Sequence, residues 1–279
     1  MADNAQFFRL GAAEVTLINV GNSQGSLAEM LELPRDQWPS RYVAALEKPA
    51  VLPIQCVHIA LPQMTLLVDA GAAVPPNSPY ALPGEVSPPG LVEQLTELGL
   101  RPEKVDHVVF THAHFDHLSG ALSTQDGQAV PAFPNARYHL GQLDAESEAL
   151  REHLEQALPG DNPLEVLQQH EQLDLVAGRT DLGMGVEILP TPGETPGHQA
   201  LRITSEGETL YCLGDLYHHV LEVEYPNWFA SWCDPEAMRA SRHSLNEAAL
   251  SEGAFLIATH IPGVGRLERT AEGTRWVTI

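Results

Sequence analysis

The chain has 279 residues, with 37 Asp and Glu against 15 Lys and Arg, for a formal net charge of −22. Binding to a phosphate backbone draws on clustered Lys and Arg, and two lysines (Lys48, Lys104) with no basic run exclude nucleic acid as substrate or partner. A hydrophobic content of 43 % supports a buried core rather than disorder.

In chain order, Glu14–Val20 reads as a strand ended by Gly21 and Asn22. Residues 22–50 are mixed and acidic, a long excursion or a short helical insertion. Ile54–Ala60 and Thr65–Val68 read as a hairpin-like strand pair. Residues 71–90 form a proline-rich loop. Leu91–Leu98 is a short amphipathic helix closed by Gly99, and His107–Phe110 is a compact strand. Ala136–Leu140 reads as a strand, Leu143–Leu158 as one charged helix, and Val186–Leu189 as a strand. Ala200–Thr204 and Thr209–Leu213 pair across a turn at Ser205–Gly207. Asp234 and Pro235 start a helix that runs to about Leu250, with Met238, Leu245 and Ala249 inward and Gly253 beyond its end. Ala254–Ala258 is the last clear core strand. Strands dominate with helices between them, and no linker separates autonomous units. The expectation is an α/β layered architecture forming a single domain over residues 1–279.

No apolar run approaches the ~18 residues of a membrane span. The first residues lack a cationic and apolar leader. Three cysteines (Cys56, Cys212, Cys233) share no C-x-x-C spacing and read as buried thiols in a reducing compartment. These features point to the cytoplasm.

The 13 histidines are organised. Directly after the strand His107–Phe110 comes Thr111-His112-Ala113-His114-Phe115-Asp116-His117. Imidazole nitrogens and carboxylate oxygens are good donors to Zn²⁺ and similar divalent ions. Four such groups in six residues exceed what one catalytic ion with an open position takes from one loop, which suggests two ions. Further candidates each follow an apolar run: Asp69, His198 in the turn Thr191–His198, Asp215 and His260.

With these pieces in this order, the chain resembles a metallo-β-lactamase superfamily hydrolase. The resemblance implies an αββα sandwich of two mixed β-sheets with helices on the outer faces. It assigns His112, His114 and His198 to a first metal, and Asp116, His117 and His260 to a second, with Asp215 bridging. Asp69 then orients a ligand imidazole rather than ligating. Two divalent ions per chain are implied, Zn²⁺ first, with Mn²⁺, Fe²⁺ or Co²⁺ as alternatives. Class B β-lactamases carry cysteine where this chain has Asp215, and RNA-processing members want a basic surface.

The sequence most resembles the N-acyl homoserine lactonase and methyl parathion hydrolase groups, through Pro196-Gly197-His198-Gln199, Phe133-Pro134-Asn135-Ala136 and His260. Those lactonases place a tyrosine three residues after the bridging aspartate. Here that position is His218, with Tyr217 before it, and histidine there is similar to the phosphotriesterase-active group. The implied activity is hydrolysis of a lactone or ester by a metal-bridging hydroxide, with Asp116 as proton shuttle and His218 or Tyr217 helping to stabilise the oxyanion. Alternatives are a phosphotriester or aryl ester hydrolase, and, from another class, a non-catalytic metal-binding scaffold or sensor. The expected partner is a small molecule, uncharged and partly apolar. The aromatic segment Tyr225–Trp232 either walls an apolar pocket or forms a core cluster or dimer contact. Residues 22–50 and 71–90 either close the site or bury a homodimer interface.

Overall fold

The computed structural model describes residues 4–71, 88–157, 160–271 and 273–279. In chain order, β1 (Ala5–Leu10), β2 (Ala13–Gly25), β3 (Ala50–Leu61), β4 (Met64–Val68) and β5 (His107–Val109) build one sheet. A separate hairpin of β6 (Leu122–Gln125) and β7 (Gln128–Pro131) follows. β8 (Arg137–Gly141) and β9 (Leu173–Val176) complete the first sheet. The second sheet holds β10 (Thr180–Gly183), β11 (Val186–Pro190), β12 (Gln199–Ser205), β13 (Glu208–Cys212), β14 (Phe255–Ala258), β15 (Ile261–Thr270) and β16 (Gly273–Thr278).

β1 to β4 are antiparallel; β4, β5, β8 and β9 are parallel. In the second sheet only the β13–β14 pair is parallel. A parallel step needs a crossover, and the helix Pro235–Glu252 provides the one between β13 and β14.

Strand alternation decides the layers. Val57, Ile59, Leu66 and Val68 point inward and meet Ile188, Leu201, Ile203 and Ile257 of the second sheet. On the far side of the first sheet, Leu67, Val108 and Tyr138 pack under Leu91, Leu95, Leu154 and Leu167. On the far side of the second, Tyr211 and Leu256 pack under Met238, Leu245 and Ala249. The result is helix, sheet, sheet, helix: the expected αββα sandwich.

The differences from the sequence reading have local causes. The first predicted strand does not end at Gly21 and Asn22; β2 runs through them with a shift of register. Asn19 absorbs it, accepting from Gly21 N at 2.9 Å and donating to Asn22 Oδ1 at 3.0 Å. The single charged helix is two helices, Gln142–Ala145 and Glu148–Ala157. Ser147 Oγ accepts from Leu150 N and restarts the second; Leu158 lies outside the described residues. Ala254–Ala258 is not the last core strand, because β15 and β16 follow it. Glycines mask the alternation of β15, and Gly265 is needed there: a Cβ would lie 2.2 Å from the indole Nε1 of Trp276. Residues 22–50 fold into the short helices Leu27–Met30 and Val43–Leu46 with two 3-10 turns. Their apolar side chains pack with Leu221 and Trp228. Most of the proline-rich loop, 72–87, lies outside the described residues.

Candidate metal centre

β5 delivers the ligand loop to the edge of the sandwich. Phe110 N still bonds to His139 O, after which the chain turns into the short helix Phe115–Leu118. Asp69 follows β4 and adopts a left-handed φ of 56°. There its carboxylate accepts from Thr111 N (2.7 Å) and Thr111 Oγ1 (2.9 Å). Its Oδ2 lies 2.8 Å from His117 Nδ1. That contact commits Nδ1–H outward and turns His117 Nε2 into the site, where it is buried without a hydrogen-bond partner.

The second sheet supplies the facing groups. His260 follows β14, donates from Nδ1 to Pro53 O at 2.8 Å, and likewise presents Nε2 inward. Asp215 follows β13 through Gly214, whose φ is 55°. A Cβ on Gly214 would lie 2.6 Å from Thr111 Cβ and 2.8 Å from His198 Nε2, so only glycine lets the strands close here. Asp215 Oδ2 is the hub: it lies 3.2 Å from His260 Nε2, 3.4 Å from His117 Nε2, 3.5 Å from His218 Nε2 and 3.8 Å from His112 Nε2. Its Oδ1 is buried with no partner.

Two donor clusters result. His112, His114, Glu194 and Asp215 each bring one ligand atom to within 4.8 Å of the others, as do Asp116, His117 and His260. His112 Nε2 faces His114 Nδ1 at 2.9 Å. Buried lone pairs converging in this way, with orphaned nitrogen and oxygen atoms among them, are unfavourable unless a cation stands between them. The donor set fits divalent metal.

The electrostatics agree. Burial opposes ionisation of Asp215, yet the imidazoles of His260 and His117 outweigh it and hold the carboxyl well below the usual range. Asp116 is likewise pulled down to about 2 against its burial, by His117 and His260. Burial, reinforced by His117 and His114, keeps His112 neutral. Ionised carboxylates and neutral imidazole are the forms that bind metal; Asp215 and its neighbouring carboxylates outweigh burial to raise His117, and to raise His260 to about 9, so an ion entering the site would displace the protons of these two rings.

The remaining predicted residues divide. His218 is in the site, buried, stacked at 5.7 Å on His260, with Trp232 edge-on at 6.0 Å. Tyr217 is turned to other partners: its ring lies under Arg242 and its hydroxyl donates to Asn246 at 2.9 Å. The expected role at the oxyanion finds no support in this placement, since Tyr217 is not among the groups gathered with Asp215. His198 lies beside His112, with ring centroids 5.2 Å apart. Its Nδ1 is held by Thr191 and its Nε2 accepts from Asp215 N at 3.2 Å, so it stands outside the first cluster. The aromatic segment is split: Tyr225 and Trp228 stack on each other, Trp228 packs into the 22–50 insertion, and Trp232 stays half-exposed at the site.

Four residues escaped the sequence reading. Glu194 is a full member of the first cluster; its only signal was an acid inside a Pro- and Gly-shaped turn. Asp144 accepts from Ala113 N, Thr195 Oγ1 and Gly197 N, tying both ligand loops together from what looked like a solvated helix. Glu222 accepts from His218 N (2.6 Å) and His219 N (2.9 Å) while pairing with Arg242 at 2.6 Å. Arg242 also bonds to Leu216 O and Trp228 O, fixing the segment that carries His218.

A fold and a site of this kind define a metal-dependent hydrolase of the metallo-β-lactamase type. A family model described as the metallo-beta-lactamase superfamily matches residues 51–260, and the chain belongs to that superfamily. It is 27 % identical over 223 residues to the N-acyl homoserine lactonase AiiA of Bacillus thuringiensis subsp. kurstaki, covering 75 % of this chain and 81 % of that one. A probable metallo-hydrolase of Mycobacterium tuberculosis is 24 % identical over 204 residues, covering 63 % and 61 %. Among solved structures, the hydrolase AbOPH of the beta lactamase superfamily superposes with a TM-score of 0.81 at 22 % identity, covering 100 % of this chain and 98 % of that one. AidC, a dizinc quorum-quenching lactonase in complex with a product, gives 0.76 at 21 % identity, covering 99 % and 97 %.

Proposed function

We propose that the protein hydrolyses a lactone or carboxylic ester with two divalent ions. His112, His114 and Asp215 serve one, joined by the neighbouring His198 once its Nε2 is released from Asp215 N, and Asp116, His117, His260 and Asp215 serve the other. The observation that carries this reading is the position of Asp215 Oδ2, within 3.8 Å of the Nε2 atom of His112, 3.4 Å of that of His117 and 3.2 Å of that of His260. Donors from both sheets support treating residues 1–279 as one domain. When bound, such a pair of ions activates water at neutral pH and polarises the attacked carbonyl.

The chain's own groups do the rest. Asp116, with Oδ2 3.4 Å from His260 Nε2, carries the proton to the leaving group. His218 reaches the substrate oxygen with Nε2, its backbone pinned by Glu222. Trp232 offers an apolar wall for an uncharged substrate. Zn²⁺ is the expected ion, in keeping with the dizinc neighbour; Mn²⁺, Fe²⁺ and Co²⁺ suit the same donors. The buried free thiols of Cys56, Cys212 and Cys233 support a cytoplasmic setting. No helix among the described residues is long and apolar enough to cross a membrane.

The test is a substrate panel of lactones, aryl esters, phosphotriesters and a cephalosporin, assayed with Zn²⁺, Mn²⁺ or Co²⁺ and metal analysis. Lactone or ester turnover with about two equivalents of metal, abolished by chelation, is expected. Full activity in metal-free protein overturns the proposal. One observation favours a second reading, phosphotriester or aryl ester hydrolysis: the group beside Asp215 is the imidazole of His218, not a phenol. Preferential turnover of phosphotriesters would decide for it.

A further inference from the structure

Glu194 is 4 % exposed. Among the described residues no lysine or arginine pairs with it. Its hydrogen-bond donors are the Trp232 indole (Nε1 to Oε1, 2.6 Å) and the Cys233 thiol (Sγ to Oε2, 2.9 Å), and its only cationic neighbours among the described residues are the imidazoles of His114 and His218. A carboxylate taken from water is costly unless a cation faces it, either an imidazolium of these two histidines or a metal ion that takes the protons' place. Oε1 lies 3.4 Å from His114 Nδ1 and 3.6 Å from His218 Nε2. Two donors about 2.0–2.2 Å from one ion, at a tetrahedral angle, are roughly 3.3–3.6 Å apart. The His114–Glu194 spacing fits that separation, and Glu194 shares a 4.8 Å cluster with His112, His114 and Asp215. The indole and thiol fix the carboxylate while leaving Oε1 a second lone pair.

We propose that Glu194 is a further donor to the first ion, raising its protein donors from four to five. The proposal rests on the dinuclear reading above. A fifth donor that is a hard oxygen favours ions that accept higher coordination, Mn²⁺, Fe²⁺ and Co²⁺, relative to tetrahedral Zn²⁺. It makes Glu194 the residue that sets the metal preference of this site.

The experiment compares the wild-type protein with Glu194→Gln, which keeps the shape and the acceptor for Trp232 but removes the charge. Metal equivalents, Mn²⁺ and Zn²⁺ affinities by chelator competition, and the visible spectrum of the Co²⁺-loaded protein are measured. The wild type binds two equivalents. Glu194→Gln is expected to lose about tenfold or more in Mn²⁺ affinity at one site, with a smaller loss for Zn²⁺. Its Co²⁺ bands should intensify as the ion moves toward four-coordination. If Glu194→Gln does not fold, Glu194→Asp, which withdraws the oxygen by one methylene, is read in the same way. Unchanged Mn²⁺ affinity and an unchanged Co²⁺ spectrum overturn the proposal while leaving the dinuclear reading intact. A wild type that binds fewer than two equivalents overturns both.

Discussion

An imidazole ligates well when something holds its far nitrogen. His117 has Asp69 for this and His260 has the Pro53 carbonyl. Asp69→Asn should leave the fold standing and weaken metal binding by roughly 10- to 100-fold; chelator competition on the purified variant measures it. The His218 and Tyr217 pair was ambiguous for a different reason. Adjacent residues in a turn face different ways, and sequence does not say which faces the metals. Tyr217→Phe should cost about 1 kcal/mol of stability, through the lost bond to Asn246, and keep kcat within a few-fold. His218→Ala should lower kcat strongly at unchanged metal content. Urea unfolding, kinetics and metal analysis together separate the two. The ligand loop was legible because its chemistry is dense and local. Glu194 and Asp144 were not, because their partners are distant in sequence.

The helix Pro235–Glu252 shows what pattern reading captures and where it stops. Asp234 caps it by accepting from Glu236 N and Ala237 N, Pro235 opens it, and Gly253 closes it in the left-handed region at φ 59°. All three were readable, as was the apolar face of Met238, Leu245 and Ala249. Arg242 on that same face was not, since a charged residue there normally signals solvent. It is buried because Glu222 and two carbonyl groups satisfy it. Arg242→Met should therefore destabilise by about 3–5 kcal/mol, leaving Glu222 buried and unpaired. Adding Glu222→Gln should recover part of that stability without restoring kcat, because His218 then lacks its charged anchor. Denaturant midpoints and kinetics of the single and double variants check this. Glycine and asparagine misled the strand boundaries in the same way: the β2 bulge and β15 use them inside strands, where sequence habit reads a stop.

For the whole molecule, acid is the condition to test. Burial pushes His58 down to about 4, and burial with His107 alongside does the same to His139. Both titrate near 6.5 in the unfolded chain. Between those values the unfolded state binds more protons, so stability is full above about pH 6.5 and falls as the pH drops toward 4. Each histidine contributes a slope of up to about 1.4 kcal/mol per pH unit. His58→Leu should flatten the fall by about half that of the pair, read from denaturant midpoints of metal-loaded protein at pH 7, 6 and 5. An α/β layering was legible from strands alternating with helices, and the αββα sandwich only through the resemblance that the histidine motif carries. The edge strands β1 and β16 were not, since half-exposed edges carry a weaker apolar signal.

The donors come from both sheets, after β5 on one side and after β13 and β14 on the other, and His112 and His260 stand 148 positions apart (260 − 112). No fragment shorter than the docked pair of sheets assembles them. In small zinc domains the ion drives the chain to fold; here a long loop must close before all the donors stand together. The complete donor set therefore exists only once both sheets have docked. A nascent chain whose β14 is still within the ribosome lacks His260 and so has no complete site.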